Sequence, residues 1–262
     1  MSIHRTFAAA ALLALSACAD NPAAGGGGDN TVRLRFGVAG GQALASAGRF
    51  QTSGTEQLTI TGANGTLRID DLRMVMAEFE LDGDDDVNRC SDDAGAADDC
   101  EDFNAGPMFI DFPLTGGPVP VSSGNVPAGT YEEVEFEVED LDDDEENPAE
   151  RARIEQLRAQ ILAQFPDWPR GASLLVVGTF TPTGGAPQSF RAFVEAEIEI
   201  ETELSPRLVV GVGESRSVDV LLDPAILFRN GNNVLNLAQS SARDELEIRI
   251  ENGFRGRGGS DD

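Results

Sequence analysis

From Glu133 to Glu139 the chain alternates without a break. Val134, Phe136 and Val138 fall on one side, and Glu133, Glu135, Glu137 and Glu139 on the other. Phe190 to Leu204 repeats the pattern, with Ala192, Val194, Ala196, Ile198 and Ile200 inward and Glu195, Glu197, Glu199, Glu201 and Glu203 outward. A two-residue period puts each carboxylate on one wet face of a strand, whereas a helix would scatter them around its axis. Such segments fold only as half-buried strands, and several of them must share a core.

The same period occurs elsewhere. Val32, Leu34 and Phe36 alternate with Arg33 and Arg35, and Leu58 with Ile60, before a turn at Gly62-Ala-Asn-Gly65. Between Thr66 and Leu81 the apolar phase changes near Asp70-Asp71, which predicts a bulge or two strands. Further strands are predicted at Met108–Leu114, Ser173–Phe180, Leu208–Val212 and Ser217–Leu222. One amphipathic helix is predicted over about 148–165: Asn147-Pro148-Ala149-Glu150 is a start signal, and Ile154, Leu157, Ile161, Leu162 and Phe165 keep helical spacing. Trp168, just beyond, is read as packing the helix end. Ser241–Asn252 fits either a helix, through Ala242, Leu246 and Ile250, or a strand, and the helix is favoured. Arg255–Asp262 reads as a flexible tail. With 262 residues, the expectation is one all-β domain over 31–254. It would be an antiparallel immunoglobulin-like or transthyretin-like sandwich with one inserted helix and a C-terminal helix.

The N-terminus carries an address. A short basic start leads to an apolar run from Phe7 to Leu15, too short to span a bilayer as a mature helix. Leu15-Ser16-Ala17-Cys18 resembles a bacterial lipobox. That resemblance implies a signal peptide over 1–17, lipidation at Cys18, and a membrane partner reached through the lipid. Residues 18–30 would be a flexible Gly-rich tether reaching about 17–21 Å. Ala19 after the anchor resembles the outer-membrane sorting pattern, so the expected location is extracytoplasmic, at the outer membrane where there is one. In an oxidising compartment Cys90 and Cys100 are expected to form a disulfide. Closing that small ring would be worth roughly 3 kcal/mol. Nine intervening residues and the lack of further thiol or imidazole partners disfavour a zinc pair.

Charge and residue type exclude much chemistry. The chain has 46 acids against 19 bases and a net charge of −27. Every base is arginine, and the one histidine, His4, lies in the predicted signal peptide. Nucleic-acid phosphate is therefore excluded as a partner. Without lysine there is no P-loop or Schiff-base chemistry, and a mature chain without histidine lacks the commonest general base. No enzyme activity is expected; a carboxylate-based hydrolase is the least favoured reading.

Two acidic loops remain. One begins at Asp82, Asp84 and Asp86; the other contains Asp140, Asp142 and Asp144. If Leu72–Leu81, Met108–Leu114 and Tyr131–Glu139 formed an antiparallel meander, both loops would leave the same end. Crowded carboxylates there could take calcium, a hard cation with six to eight oxygen ligands. Asp82, Asp84 and Asp86 resemble the Asp-x-Asp-x-Asp rhythm of EF-hand and thrombospondin-type loops. Val87, however, stands where the turn glycine belongs, and Asp93 stands where the twelfth-position glutamate belongs. A plain solvated loop is the commoner meaning of such a run. Calcium is thus the one cofactor considered, and none is required. The glutamate faces leave the same choice between a wet surface and a dock for a basic protein partner.

Val126-Pro-Ala-Gly-Thr-Tyr131, a turn entering the Glu-apolar strand, resembles a signature of uncharacterised bacterial envelope lipoproteins with β-sandwich domains. The strand order from Leu67 to Val138 also resembles the methanobactin-partner family of copper-binding periplasmic proteins. Copper needs imidazole or soft sulfur ligands, so that resemblance implies the fold without the copper function. The resulting expectation is a lipid-anchored envelope binding or structural module with calcium at the acidic loops. The alternative is a metal-independent interaction module that uses the glutamate face.

Overall fold

Alternation becomes strand throughout the computed structural model of the chain, which describes residues 30–39, 57–83, 103, 105–141 and 148–260. The early strands are β1 (Thr31–Val38), β2 (Leu58–Gly62), β3 (Gly65–Met76) and β4 (Phe79–Gly83). Next come β5 (Met108–Asp111), β6 (Val119–Asn125) and β7 (Gly129–Val138). Helix α1 (Pro148–Gln164) precedes β8 (Leu174–Pro182), β9 (Gln188–Val194), β10 (Ile198–Val210) and β11 (Ser215–Leu222). The chain continues through α2 (Pro224–Leu227), a short ribbon of β12 (Arg229–Asn230) and β13 (Asn233–Val234), α3 (Ser240–Ile250) and β14 (Phe254–Ser260).

These strands make a sandwich. One sheet has seven strands in the order β4-β7-β10-β14-β11-β1-β6; the other runs β2-β3-β8-β9, with β5 also on β3. Their inward apolar residues form one core. Phe36 of β1 meets Phe112 of the facing layer edge-on at 5.8 Å, and Phe136 of β7 meets Phe254 of β14 at 5.2 Å. The favoured helix at the C-terminal side forms as α3, burying Ala242, Leu246 and Ile250. Helix α1 lies outside the smaller sheet, where Ile161 and Leu141 pack on Val75. Trp168 closes the end of that layer, edge-on to Phe109 at 5.3 Å and Phe193 at 5.4 Å. Its indole Nε1–H donates to the Ala172 carbonyl at 2.9 Å, so it packs as its position suggested. Tyr131 is fully buried, and its hydroxyl donates to the Pro127 carbonyl at 2.9 Å, tying the Pro-Ala-Gly-Thr-Tyr turn to the strand it enters.

Several expectations need correction. The sandwich is not wholly antiparallel, because β1 runs parallel to β11 and β10 parallel to β14. The phase change at Asp70-Asp71 is a bulge against β8. A second break at Ala77-Glu78 then carries the chain from one sheet into the other. Phe190–Leu204 is not one strand, since β9 and β10 belong to opposite sheets. The crossing is pinned where the Ala196 amide donates to Ser173 Oγ at 2.9 Å. Leu208–Val210 is the end of β10 rather than a strand of its own.

The expected flexible tail is a strand inside the larger sheet. Residues Phe254 to Ser260 of β14 pair with Arg216 to Leu222 of β11. Two of its glycines, Gly256 and Gly258, face inward, where there is no room for side chains. A Cβ on Gly256 would sit 3.0 Å from Thr202 Cγ2, and one on Gly258 3.0 Å from the Leu208 Cα. Composition reads Arg-Gly-Arg-Gly-Gly as loose, but its backbone hydrogen bonds and the close approach of neighbours hold it in place.

Candidate functional site

The outward face of the larger sheet is chemically divided. At one side Glu80 and Asp82 of β4, Glu133, Glu135 and Glu137 of β7, and Glu199, Glu201 and Glu203 of β10 stand in register. Glu135 lies opposite Glu80 on one side and Glu201 on the other; Glu133 lies opposite Asp82 and Glu203, and Glu137 opposite Glu199. Directly opposed side chains on neighbouring strands are about 4.5–5.5 Å apart at Cβ, and like charges placed so destabilise a sheet. Among the described residues, none of the ion pairs to arginine involves Glu133, Glu135, Glu137, Glu199, Glu201 or Glu203. Three carboxyls of β7 hold their protons to higher pH than an isolated glutamate would. A hydrogen bond with Glu199, then burial, then the charges of Glu199, Asp82 and Glu80 push Glu135 up to about 7. Burial, followed by the charges of Glu201, Asp82, Glu203 and Glu132, raises Glu133; burial, Glu78 and Glu199 raise Glu137.

Carboxylate oxygens of Glu135, Glu199 and Glu201 all lie within 4.8 Å of one another. That spacing suits a shared proton or a hard cation held between them.

The other side of the same face is arginine-rich. Asp219 of β11 is paired with Arg35 of β1 and Arg257 of β14, which flank it in the sheet. Arg35 Nε reaches Asp219 Oδ1 at 2.6 Å and Arg257 Nη2 reaches Oδ2 at 2.8 Å, over a carboxylate only 1% exposed. Arg255 Nη2 holds Asp223 Oδ2 at 2.6 Å, and Arg33 stands exposed on β1. The outermost parts of these arginines remain open to solvent: Arg257 is 55% and Arg255 63% exposed.

The structure does not bring the described ends of the two acidic loops together. Asp82 lies near the end of β4, opposite Glu133, whereas Asp140 follows the far end of β7. Because β4 and β7 are antiparallel, the chain leaves them at opposite ends, roughly 23 Å apart for seven extended residues. The expected meander does not form: Met108–Asp111 pairs with β3 in the smaller sheet, and β7 pairs with β4 and β10 in the larger. Asp140 is buried against the α1 side, 3.4 Å from where a Gly171 Cβ would be. Asp84, Asp86, Asp142 and Asp144 lie outside the described residues, as do Cys18, Cys90 and Cys100.

No family model matches the chain, and no curated protein does. Among solved structures it is similar to MbnP from Methylosinus trichosporium, at 15% identity over 76% of each chain and a TM-score of 0.35. This neighbour is distant.

The glutamate strands were visible in the sequence, but their mutual register was not. The arginine-clamped Asp219 was also missed. Its only local signal is the outward placement of Arg33, Arg35, Asp219, Arg255 and Arg257 in separate alternating segments.

Proposed function

We propose that this chain is an extracytoplasmic, membrane-tethered binding module whose glutamate face receives a basic partner. The tether and location rest on the signal and lipobox pattern ending at Cys18. The observation that carries the binding role is the in-register array on β4, β7 and β10. A face that only needs to stay wet gains nothing from opposing like charges, which cost stability. A partner that brings cationic groups reverses that cost, and its complementary field speeds encounter.

The test is calorimetric titration of an arginine decapeptide into the purified chain at physiological salt. Glu133→Gln, Glu135→Gln and Glu201→Gln together should weaken binding at least tenfold. Neutralising Asp244, Glu247 and Glu251 on and beside α3 removes at least as much negative charge and should leave affinity nearly unchanged. Equal losses from both triple variants would reduce the effect to overall charge and sink the reading.

The spacing of Glu135, Glu199 and Glu201 favours a second reading, calcium held on this face rather than at the loops. Millimolar calcium, but not magnesium, should then raise the melting temperature, and Glu199→Gln with Glu201→Gln should remove the rise.

A further inference from the structure

The two halves of this face, acidic on β4, β7 and β10 and arginine-rich on β14, β11 and β1, lie side by side on one surface. The main contacts of the described helices lie elsewhere: α1 packs on β5, α2 on β12 and α3, and α3 on β9. We infer that the occupant of the glutamate half is the arginine half of a second copy of this chain, the two copies meeting face to face about a two-fold axis. This rests on the glutamate-face reading above and names its partner.

The geometry needs no special register. A two-fold axis lying in the interface, parallel to the strands and midway between the two halves, turns the second copy over and exchanges the halves, so every acid-to-arginine contact is made twice. The midpoint falls near the β10–β14 boundary, which brings β7 of one copy over β11 of the other. The arginines have donors to spend: Arg35 uses Nε on Asp219, and Arg257 and Arg255 each use Nη2. Beneath Arg35, the Ser217 hydroxyl is buried with no hydrogen-bond partner. A Cβ at Gly259 would lie 3.1 Å from that hydroxyl and 3.8 Å from Arg35 Nη2. Seven strands about 4.8 Å apart and roughly 20 Å long offer about 600 Å² per copy. That is near the lower bound for a specific interface, so a dimer in the micromolar range is expected. Long-range repulsion between two acidic copies is screened beyond about 8 Å at physiological salt.

The test is sedimentation velocity of the full chain from about 1 to 100 µM, with two charge-reversed variants chosen at exposed positions. Arg33→Glu with Arg255→Glu leaves the Arg35–Asp219–Arg257 cluster untouched; Glu199→Arg with Glu201→Arg reverses the other half. Wild type should dimerise within this range, each variant alone should shift dissociation at least tenfold toward monomer, and an equimolar mixture should recover a one-to-one dimer. Circular dichroism confirms that each variant is folded. Should a reversal not fold, Arg33→Gln with Arg255→Gln replaces it and should weaken the dimer in the same direction. A wild-type monomer at every concentration, or a dimer indifferent to both reversals, overturns the inference. If the arginine peptide still binds such a monomer, only self-pairing is lost; if it does not, the glutamate-face reading falls as well.

Discussion

Glu135 shows what a single side chain can carry. Its ordinary value is 4.5, and its neighbours raise it to about 7. Below the ordinary value the carboxyl is protonated in both the folded and unfolded chain, and its contribution to stability is complete. As pH rises from there to about 7, the unfolded chain releases the proton that the folded chain still holds, so stability falls through this window. The raised Glu133 and Glu137 act with the same sign. Discounted for solvent screening, the effect is on the order of 1 kcal/mol. That corresponds to about 2–4 °C in a domain this size. The melting temperature should therefore drop between pH 5 and pH 8, and Glu135→Gln should flatten the slope and melt higher than wild type at pH 8. A melting temperature that climbs over this range would contradict the assigned carboxyl environment. The alternation made the outward direction of Glu135 readable from sequence. Its perturbed titration was not readable, because the groups that cause it sit on β4 and β10, far away along the chain.

Strand β14 makes the corresponding point for an element. Phe254-Arg-Gly-Arg-Gly-Gly-Ser keeps a two-residue period if glycine counts as an inward residue, yet glycine carries no apolar signal for periodicity to register. Its place between β10 and β11 is set by neighbours that approach too closely for a Cβ at Gly256 or Gly258. Ending the chain after Phe254 should leave β10 and β11 without the strand between them. We expect loss of the cooperative thermal transition, seen by circular dichroism as a broad, featureless melt. A truncated chain that melts like the intact one would restore the flexible-tail reading. The gentler change Gly258→Val should cost about 1–3 kcal/mol by overpacking, measured by urea unfolding. Helix α1 was legible for the opposite reason, since its start signal, proline and apolar spacing all lie within twenty residues of sequence.

Across the molecule, the relevant fact is which sheet each strand joins. Two breaks, at Ala77-Glu78 and between Val194 and Ile198, pass the chain from one layer to the other. They undo the meander that would have gathered both acidic loops at one end. Asp82 and Asp140, at opposite ends of the β4–β7 pair, are too far apart to share a ligand, and their effects should be independent. In urea unfolding with calcium present, Asp82→Ala and Asp140→Ala should add within about 0.5 kcal/mol in the double variant. A larger coupling would mean that the two ends communicate through a common ion.

Local pattern decided which segments are strands, which side of each is wet, and that the acids and the arginines point outward. These follow from the two-residue pleat and need only neighbours in sequence. The tertiary structure alone decided that three glutamate strands lie side by side, that Asp219 rests between Arg35 and Arg257, and that acid and arginine halves share one face. Strand pairing is a choice among distant segments with similar patterns. It is settled by how inward side chains fill a common core and by which backbones can approach closely enough to bond, and neither is written in any one segment.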